Sequence, residues 1–325
     1  MKEHQILYLS KKEVAETGLA MAEVIEAVER AFREKGEGKV EMPPKPGVHS
    51  RPDSFIHAMP AYIAATGALG MKWVAGYPEN SKRGLPYISG LVVLNDPDTG
   101  LPLAVMDCVW ITAMRTGAAT TVAARYLARR DSKILGVLGA GTQGFSNLEA
   151  LKVLFPIERV VVYDIEEEQI RRYEQRVHGR WPEIEIRRAT DPRQAVEGMD
   201  IVVTAGPIVR PPHATIPAGW LSEGAFASMV DFDSYWSGKA LAEVDKFTTD
   251  DIPQLEHYRT LGYFQAIPRI YAELGELVTG RKPGRENARE RTVACNLGLA
   301  IDDLATAPLV YKRAVEKGLG TWLPM

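Results

Sequence analysis

Lys133-Ile134-Leu135-Gly136-Val137-Leu138-Gly139-Ala140-Gly141-Thr142-Gln143-Gly144, continued by Phe145-Ser146-Asn147-Leu148-Glu149-Ala150-Leu151, decides the fold of this chain. Its first half, rich in Ile, Leu and Val, reads as a buried strand. The run breaks at Gly139 into a G-x-G-x-x-G turn, and Leu148, Leu151 and Leu154 continue at helical spacing. Each glycine has its own task. Gly139 makes the tight turn, Gly141 lets backbone N–H groups approach a pyrophosphate, and Gly144 lets the helix pack on its strand. The helix N-terminus, with Thr142 and Gln143, adds partial positive charge for the phosphates.

A second strand, Val160-Val161-Val162-Tyr163-Asp164, ends in an acid twenty residues after Gly144. That is where a carboxylate accepts hydrogen bonds from an adenosine ribose. Strand, glycine turn, helix, strand and acid in this order point to a dinucleotide. Asp164 would repel a 2′-phosphate, so NAD is expected rather than NADP.

The chain has 325 residues, enough for two domains with sizeable cores. Hydrophobic residues make up 46% and charged residues 25%, which places it among ordinary globular proteins. The net charge of −3 and the lack of a basic stripe argue against nucleic acid. No apolar run has the length of a membrane span, and Met1-Lys2-Glu3-His4 opens no secretory signal. Cys108 and Cys295, far apart, fit neither a disulfide framework nor a metal site, so the reducing cytosol is the expected compartment.

Ser10-x-x-Glu13 reads as a capping box, and Met21, Val24, Ile25, Val28, Ala31 and Phe32 mark a helix closed by Gly36. Met42-Pro43-Pro44-Lys45-Pro46, with Pro52 beyond, excludes helix. Phe55 to Pro60 and Ala68 to Val74 read as strands. Ile88 to Asn95 and Leu101 to Met106 flank Asp96-Pro97-Asp98-Thr99-Gly100 as a hairpin. A long helix, Asp107 to Arg129, leads into the nucleotide domain. There the expected elements are a charged helix (Glu166 to His178), a strand (Glu183 to Arg188), a short helix near Gln194, and strands Ile201 to Ala205, Ala225 to Val230 and near Lys246 to Thr249. This alternation predicts an α/β fold with a doubly wound parallel sheet. The final helix, Leu299 to Lys317, is expected to be interrupted and kinked at Pro308, with the last residues completing the first domain's core.

A dinucleotide fold holds a cofactor, but the reaction depends on groups facing the nicotinamide, expected largely from the first domain. Lys72 lies in an apolar strand, sharing a face with Val74; such a lysine either snorkels to water or binds an anion. Arg115, in Ala113-Met114-Arg115-Thr116-Gly117, offers a fork for a carboxylate or phosphate, or else an ion pair between domains. Asp231 and Asp233 follow a strand end, where ligands of parallel sheets bind; one is a candidate acid–base group, and the bland reading makes both loop caps. Thr204, at the end of another strand, is placed with the cofactor. His57 alternates with apolar neighbours, and unaided such a histidine is more often a satisfied core residue than a catalyst.

Several segments together resemble the ornithine cyclodeaminase/mu-crystallin family, which also includes archaeal alanine dehydrogenases and ketimine reductases. They are Met42-Pro43-Pro44-Lys45, Ala58-Met59-Pro60, Gly70-Met71-Lys72-Trp73-Val74, Gly84-Leu85-Pro86, Asp98-Thr99-Gly100-Leu101-Pro102, Arg115-Thr116-Gly117-Ala118-Ala119, Gly139-Ala140-Gly141-Thr142-Gln143 and Gly298-Leu299-Ala300-Ile301-Asp302-Asp303. The resemblance implies a discontinuous α+β substrate and dimerisation domain, 1–116 plus 304–325, around an inserted Rossmann domain, 117–303. It makes Lys72 and Arg115 ligands of the substrate carboxylate, Lys45 a further basic residue of that pocket, and Lys72 the usual candidate for proton transfer. Asp233 matches the aspartate that faces the substrate amine in cyclodeaminases, and Arg115 is also placed near the pyrophosphate.

The chain departs from the family at informative points. Before Ala58-Met59-Pro60, ornithine cyclodeaminase has a glutamate for the distal amine and the archaeal alanine dehydrogenase an arginine; here it is His57. Asp231-Phe232-Asp233 replaces Gly-Gly-Asp or Gly-Ala-Asp, and Cys295-Asn296-Leu297-Gly298 replaces Asp-Ser-x-Gly. The expected activity is NAD(H)-dependent hydride transfer at the carbon bearing nitrogen of a small amino acid or imine, by a homodimer. Lys72, Asp233 and His57 are placed at the chemistry, and Asp231 is a further candidate substrate ligand. The alternatives are an ornithine cyclodeaminase and a non-catalytic carrier of mu-crystallin type.

Overall fold

The computed structural model describes residues 4–51 and 53–325, with nothing of the Ser81 side chain; the sequence readings at Met1–Glu3 and Pro52 lie outside the described residues. The chain forms two units, Met1–Arg115 with Leu299–Met325, and Thr116–Gly298.

The first unit opens with β1 (Gln5–Leu9), α1 (Lys11–Glu16) and α2 (Met21–Gly36). The Ser10–Glu13 box caps α1: Glu13 N donates to Ser10 Oγ at 3.4 Å, and Ser10 N donates to Glu13 Oε2 at 2.8 Å. Short strands β2 (Val40–Glu41) and β3 (Gly47–Val48) lie either side of the proline-rich stretch. An antiparallel run follows: β4 (Phe55–Ile63), β5 (Ala68–Gly76), β6 (Ile88–Asn95) and β7 (Pro102–Asp107). The β6–β7 turn is tied by Asp96 Oδ1, which accepts from Asp98 N and Thr99 N. The strands alternate strictly. Lys72, Val74, Val92, Leu94, Ala104 and Met106 are buried, while Trp73 and Leu91 lie exposed on the other face.

Helix α3 (Val109–Leu127) leads into the second unit. There the strands are β8 (Ile134–Leu138), β9 (Arg159–Tyr163), β10 (Glu185–Arg188), β11 (Ile201–Thr204), β12 (Phe226–Met229), β13 (Lys246–Thr249), β14 (Ala272–Glu273) and β15 (Thr292–Cys295). Helices α4 (Thr142–Leu154), α5 (Glu167–Arg180), α6 (Gly238–Leu241), α7 (Ile252–Thr260) and α8 (Leu274–Val278) connect them. All pairings are parallel, in the order β10-β9-β8-β11-β12-β15-β13-β14. Chain order reverses between β8 and β11, so the carboxyl ends of these two strands flank a switch-point crevice, the ligand side of such sheets. Strand β15 goes unpredicted because Thr292-Val293-Ala294-Cys295 is short and buried throughout, so it shows no alternation, and it directly follows the charged Arg289-Glu290-Arg291.

The chain returns to the first unit through α9 (Ala300–Lys317), which packs on α2 and on β4, β5 and β6. Contrary to the predicted interruption, the helix continues through Pro308. A proline inside a helix costs about 3 kcal/mol. Burial of Leu304 and Val310 on either side, at roughly 1.5–3 kcal/mol each, offsets it. The chain re-enters the first unit at Leu299, just before α9 begins. The last residues do not complete the core: β16 (Thr321–Pro324) pairs antiparallel with β1 as an edge strand, leaving Trp322 47% and Leu323 40% exposed. The sheet order is β16-β1-β7-β6-β5-β4-β2, with β3 also on β4.

Candidate active site

In the first unit the predicted cations meet. Lys72 projects from the buried face of β5 and is wholly shielded from solvent, with its Nζ 2.7 Å from Asp303 Oδ2. Arg115, on α3, donates from Nε to Asp303 Oδ1 at 3.2 Å, and its Nη1 lies 3.6 Å from Asp302 Oδ2. Burial drives the Lys72 ammonium below the ordinary lysine value, and the neighbouring guanidinium adds to this; Asp303 pulls the other way. Asp302 and Asp303 occupy the first turn of α9, where the helix dipole favours acids.

His57 lies on the same sheet face. It pairs with Val74 while Met59 pairs with Lys72, which makes His57 and Lys72 diagonal neighbours across β4 and β5. Its ring stacks on Phe55 at 4.2 Å. Gly47 faces it across β3, and a Cβ there would run into the imidazole. Lys45, also buried, precedes Gly47 on the segment running beside β4.

In the second unit the glycine turn takes the shape its spacing predicts. Gly139 has φ 104°, and a Cβ there would lie 2.6 Å from the Ala205 carbonyl. A Cβ on Gly144 would strike the Gly139 carbonyl, whereas Gly141 faces open space. Gly141 is the N-cap of α4 and supplies no side-chain cap, so the first-turn N–H groups, from Thr142 and Gln143 onward, have no side-chain acceptor at that position. Asp164 is tied to the turn: Oδ2 accepts from Ala140 N at 2.8 Å and Oδ1 from Glu166 N at 2.9 Å. It stays partly exposed, with lone pairs left for hydroxyl donors. These residues fit a dinucleotide: an open glycine cradle, a helix N-terminus and a fixed carboxylate.

The other two acids part company. Asp231 is fully buried with both oxygens engaged, Oδ1 accepting from Thr204 Oγ1 at 2.7 Å and Oδ2 from Gly206 N at 3.0 Å. Burial pushes it up to about 7, partly opposed by those two donors. Thr204 is likewise buried, and Trp236 Nε1 donates to it at 3.3 Å. The pair ties the ends of β11 and β12 together. Asp233 accepts from Phe264 N at 2.8 Å through Oδ2, while its buried Oδ1 has no hydrogen-bond partner among the described residues, and burial raises its carboxyl above the usual range. Phe232 between them has φ 59°, a left-handed conformation that costs a bulky residue about 1–3 kcal/mol and sends the two acids different ways.

Asp302 and Asp303 appear in the sequence only as part of a family segment, without a role. The signal for them lies elsewhere: two buried cations demand counter-charges. An acid pair inside Leu299-Ala300-Ile301-Asp302-Asp303-Leu304 is the apolar context that supplies them.

Residues 5–318 match the sequence pattern of the ornithine cyclodeaminase/mu-crystallin family. The chain is 36% identical over 327 residues to the alanine dehydrogenase of Archaeoglobus fulgidus, covering 98% of each. It resembles the solved structure of Thermococcus litoralis Delta(1)-pyrroline-2-carboxylate reductase in complex with NADH and L-proline, with a TM-score of 0.89 and 38% identity over 97% of this chain and 99% of that one. An archaeal alanine dehydrogenase dimer with bound NAD gives a TM-score of 0.87 and 33% identity over 99% of this chain and 100% of that one. Matched almost end to end, this chain belongs to the ornithine cyclodeaminase/mu-crystallin family.

Proposed function

We propose that the protein is an NAD(H)-dependent oxidoreductase acting as an imine reductase or amino acid dehydrogenase on a small carboxylate whose α-carbon bears nitrogen. The observation that carries this reading is the buried Lys72–Arg115 pair, two cations held side by side in a family whose similar members include an alanine dehydrogenase and a pyrroline-2-carboxylate reductase. Lys72 and Arg115 clamp the carboxylate, with Lys45 as further positive charge, and so fix the carbon beside it. Such positioning is worth several kcal/mol, up to roughly 7–11 in model reactions. Gly139 to Gly144 and Asp164 form the cofactor end; Thr204, buried and bonded to Asp231, fixes the end of β11 instead. Bound there, the nicotinamide supplies or accepts the hydride. The nitrogen gains or loses its proton through Lys72 or Asp233, whose Oδ1 has no hydrogen-bond partner among the described residues. The test is NADH absorbance during a screen of 2-oxo acids with ammonia or methylamine, and of cyclic imines. Net NADH loss is expected; NADH unchanged throughout would overturn the reading.

NADH is expected to bind more tightly than NADPH. Two like charges 4 Å apart repel by about 4 kcal/mol at an effective dielectric constant near 20. Partial exposure of Asp164 screens some of this, leaving on the order of a 10- to 100-fold preference. Asp164→Ser narrows the gap; equal binding of the two nucleotides by the wild type, followed by nicotinamide fluorescence, would refute the assignment.

The open sheet face of the first unit carries Met71, Val93, Val105 and Tyr8 in one cross-strand row, with Trp73 opposite Leu91 beside it. Trp73 is 44% exposed, and a contiguous apolar face of this kind marks an association surface. A homodimer through this face accounts for it, and a similar solved structure is described as a dimer. Light scattering should give twice the chain mass for the wild type and the single mass for Trp73→Glu. A wild-type monomer would refute it.

A further inference from the structure

The two acids in the first turn of α9 have no task in the reading above. Both are fully buried, a costly place for a carboxylate unless cations meet it. Asp303 divides its oxygens between two elements, Lys72 Nζ on β5 at 2.7 Å and Arg115 Nε on α3 at 3.2 Å. Asp302 is placed differently. Its Oδ2 accepts from Leu299 N at 3.0 Å, and it reaches Arg115 only at 3.6 Å. One acid caps the helix and leans on the guanidinium; the other bridges the two cations.

We propose that Asp303 is a positioning residue for the reaction, keeping Lys72 charged and alongside Arg115 so that an incoming carboxylate meets two cations already in place. The inference rests on Lys72 and Arg115 being the carboxylate ligands. The groups facing Lys72 show why such a partner is needed. Burial and Arg115 both push the ammonium towards its neutral form, and Asp303 is the nearest opposing charge. Cys108, at the end of β7, adds nothing ionic at neutral pH, since burial pushes its thiol up to about 11. His57 and Lys45 bring no anion. Without Asp303, deprotonation relieves both the desolvation of Lys72 and its repulsion from Arg115. A substrate carboxylate then meets one cation instead of two.

Asp303 also ties α9 to β5 and α3, and a purely structural role is separable by experiment. Asparagine keeps the size of the side chain and removes the charge, whereas glutamate keeps the charge and changes the length. With Asp303→Asn, the alkaline limb of the pH profile of kcat/KM should move to lower pH by about 1–3 units, the usual effect of one close opposite charge. The sign follows from the role: activity needs charged Lys72, and charged Lys72 is lost as pH rises through its folded pKa. Asp303→Glu should restore the limb, and Asp302→Asn should weaken binding without moving it. A limb unmoved in Asp303→Asn, with glutamate the more damaging exchange, would overturn the proposal.

A second measurement needs no variant. Binding of cyclopentanecarboxylate to the wild-type protein saturated with NADH is followed by calorimetry near neutral pH, in buffers of different ionisation enthalpy. A lysine already charged predicts no net proton uptake. Uptake of about one proton per carboxylate would overturn this inference alone, and absence of carboxylate binding would overturn the functional reading together with it.

Discussion

Lys72→Met is expected to lower turnover by about 10²- to 10⁴-fold, the range for losing a positioned acid–base group, while NADH binding changes little. The cofactor residues Gly139 to Gly144 and Asp164 belong to a different unit from Lys72, so their geometry does not depend on that side chain. The exchange also touches stability. Removing one partner of a buried ion pair costs about 3–5 kcal/mol, and the low end applies because Arg115 still holds Asp303. Against a total stability of about 5–15 kcal/mol, this loss alone could mimic inactivation by unfolding a fraction of the protein. The double variant Lys72→Met/Asp303→Asn separates the two effects. With neither charge left behind, it should regain much of the lost thermal stability and remain inactive. Wild-type turnover in the folded single variant, or recovered turnover in the double one, would show that Lys72 only neutralises Asp303.

The second unit was legible because its signals are local. A strand, the Gly139–Gly144 turn and Asp164 lie within about thirty consecutive residues, and spacing alone sets their geometry. Alternation in β5 likewise sets Lys72 and Val74 on one face, but with Met71 and Trp73 on the other it does not say which face is buried; the fold does. The ion cluster was harder to foresee, because Lys72, Arg115 and Asp303 come together only when the last helix returns to the first unit. Each residue alone has a bland alternative, and only the fold removes it. Asp231 and Asp233 show the same limit. Two residues apart after one strand, they read alike in sequence. The left-handed turn at Phe232 makes one a buried clamp with a donor on each oxygen and leaves the other with an oxygen that has no partner among the described residues. A strand such as β15, four residues long with no alternation and a charged stretch just before it, carries no local signal.

Ornithine should be a poor substrate, with proline formation slight or absent. Its distal ammonium needs an acceptor, and the family resemblance implies a glutamate, with full negative charge, in ornithine cyclodeaminase at the position held here by His57. An imidazole offers at most one neutral acceptor nitrogen and no negative charge. Its ring is also confined, stacked on Phe55 with Gly47 facing it, which leaves little freedom to reorient towards a cation. Asp231 does not restore the missing charge: its side chain is fully buried, tied to Thr204 and Gly206, and burial pushes its carboxyl up to about 7, towards the neutral form. Losing a charged partner for a desolvated ammonium costs on the order of 2–5 kcal/mol, or about 30-fold to several thousand-fold in affinity. Substrates with uncharged or anionic side chains escape this penalty. Proline and ammonia release from ornithine with NAD⁺, measured beside NADH oxidation with 2-oxo acids, amines and cyclic imines, decides the matter. His57→Glu should raise binding of ornithine relative to the uncharged substrates. Rapid proline formation by the wild type, with no activity on the imine substrates, would show that His57 does not set this preference.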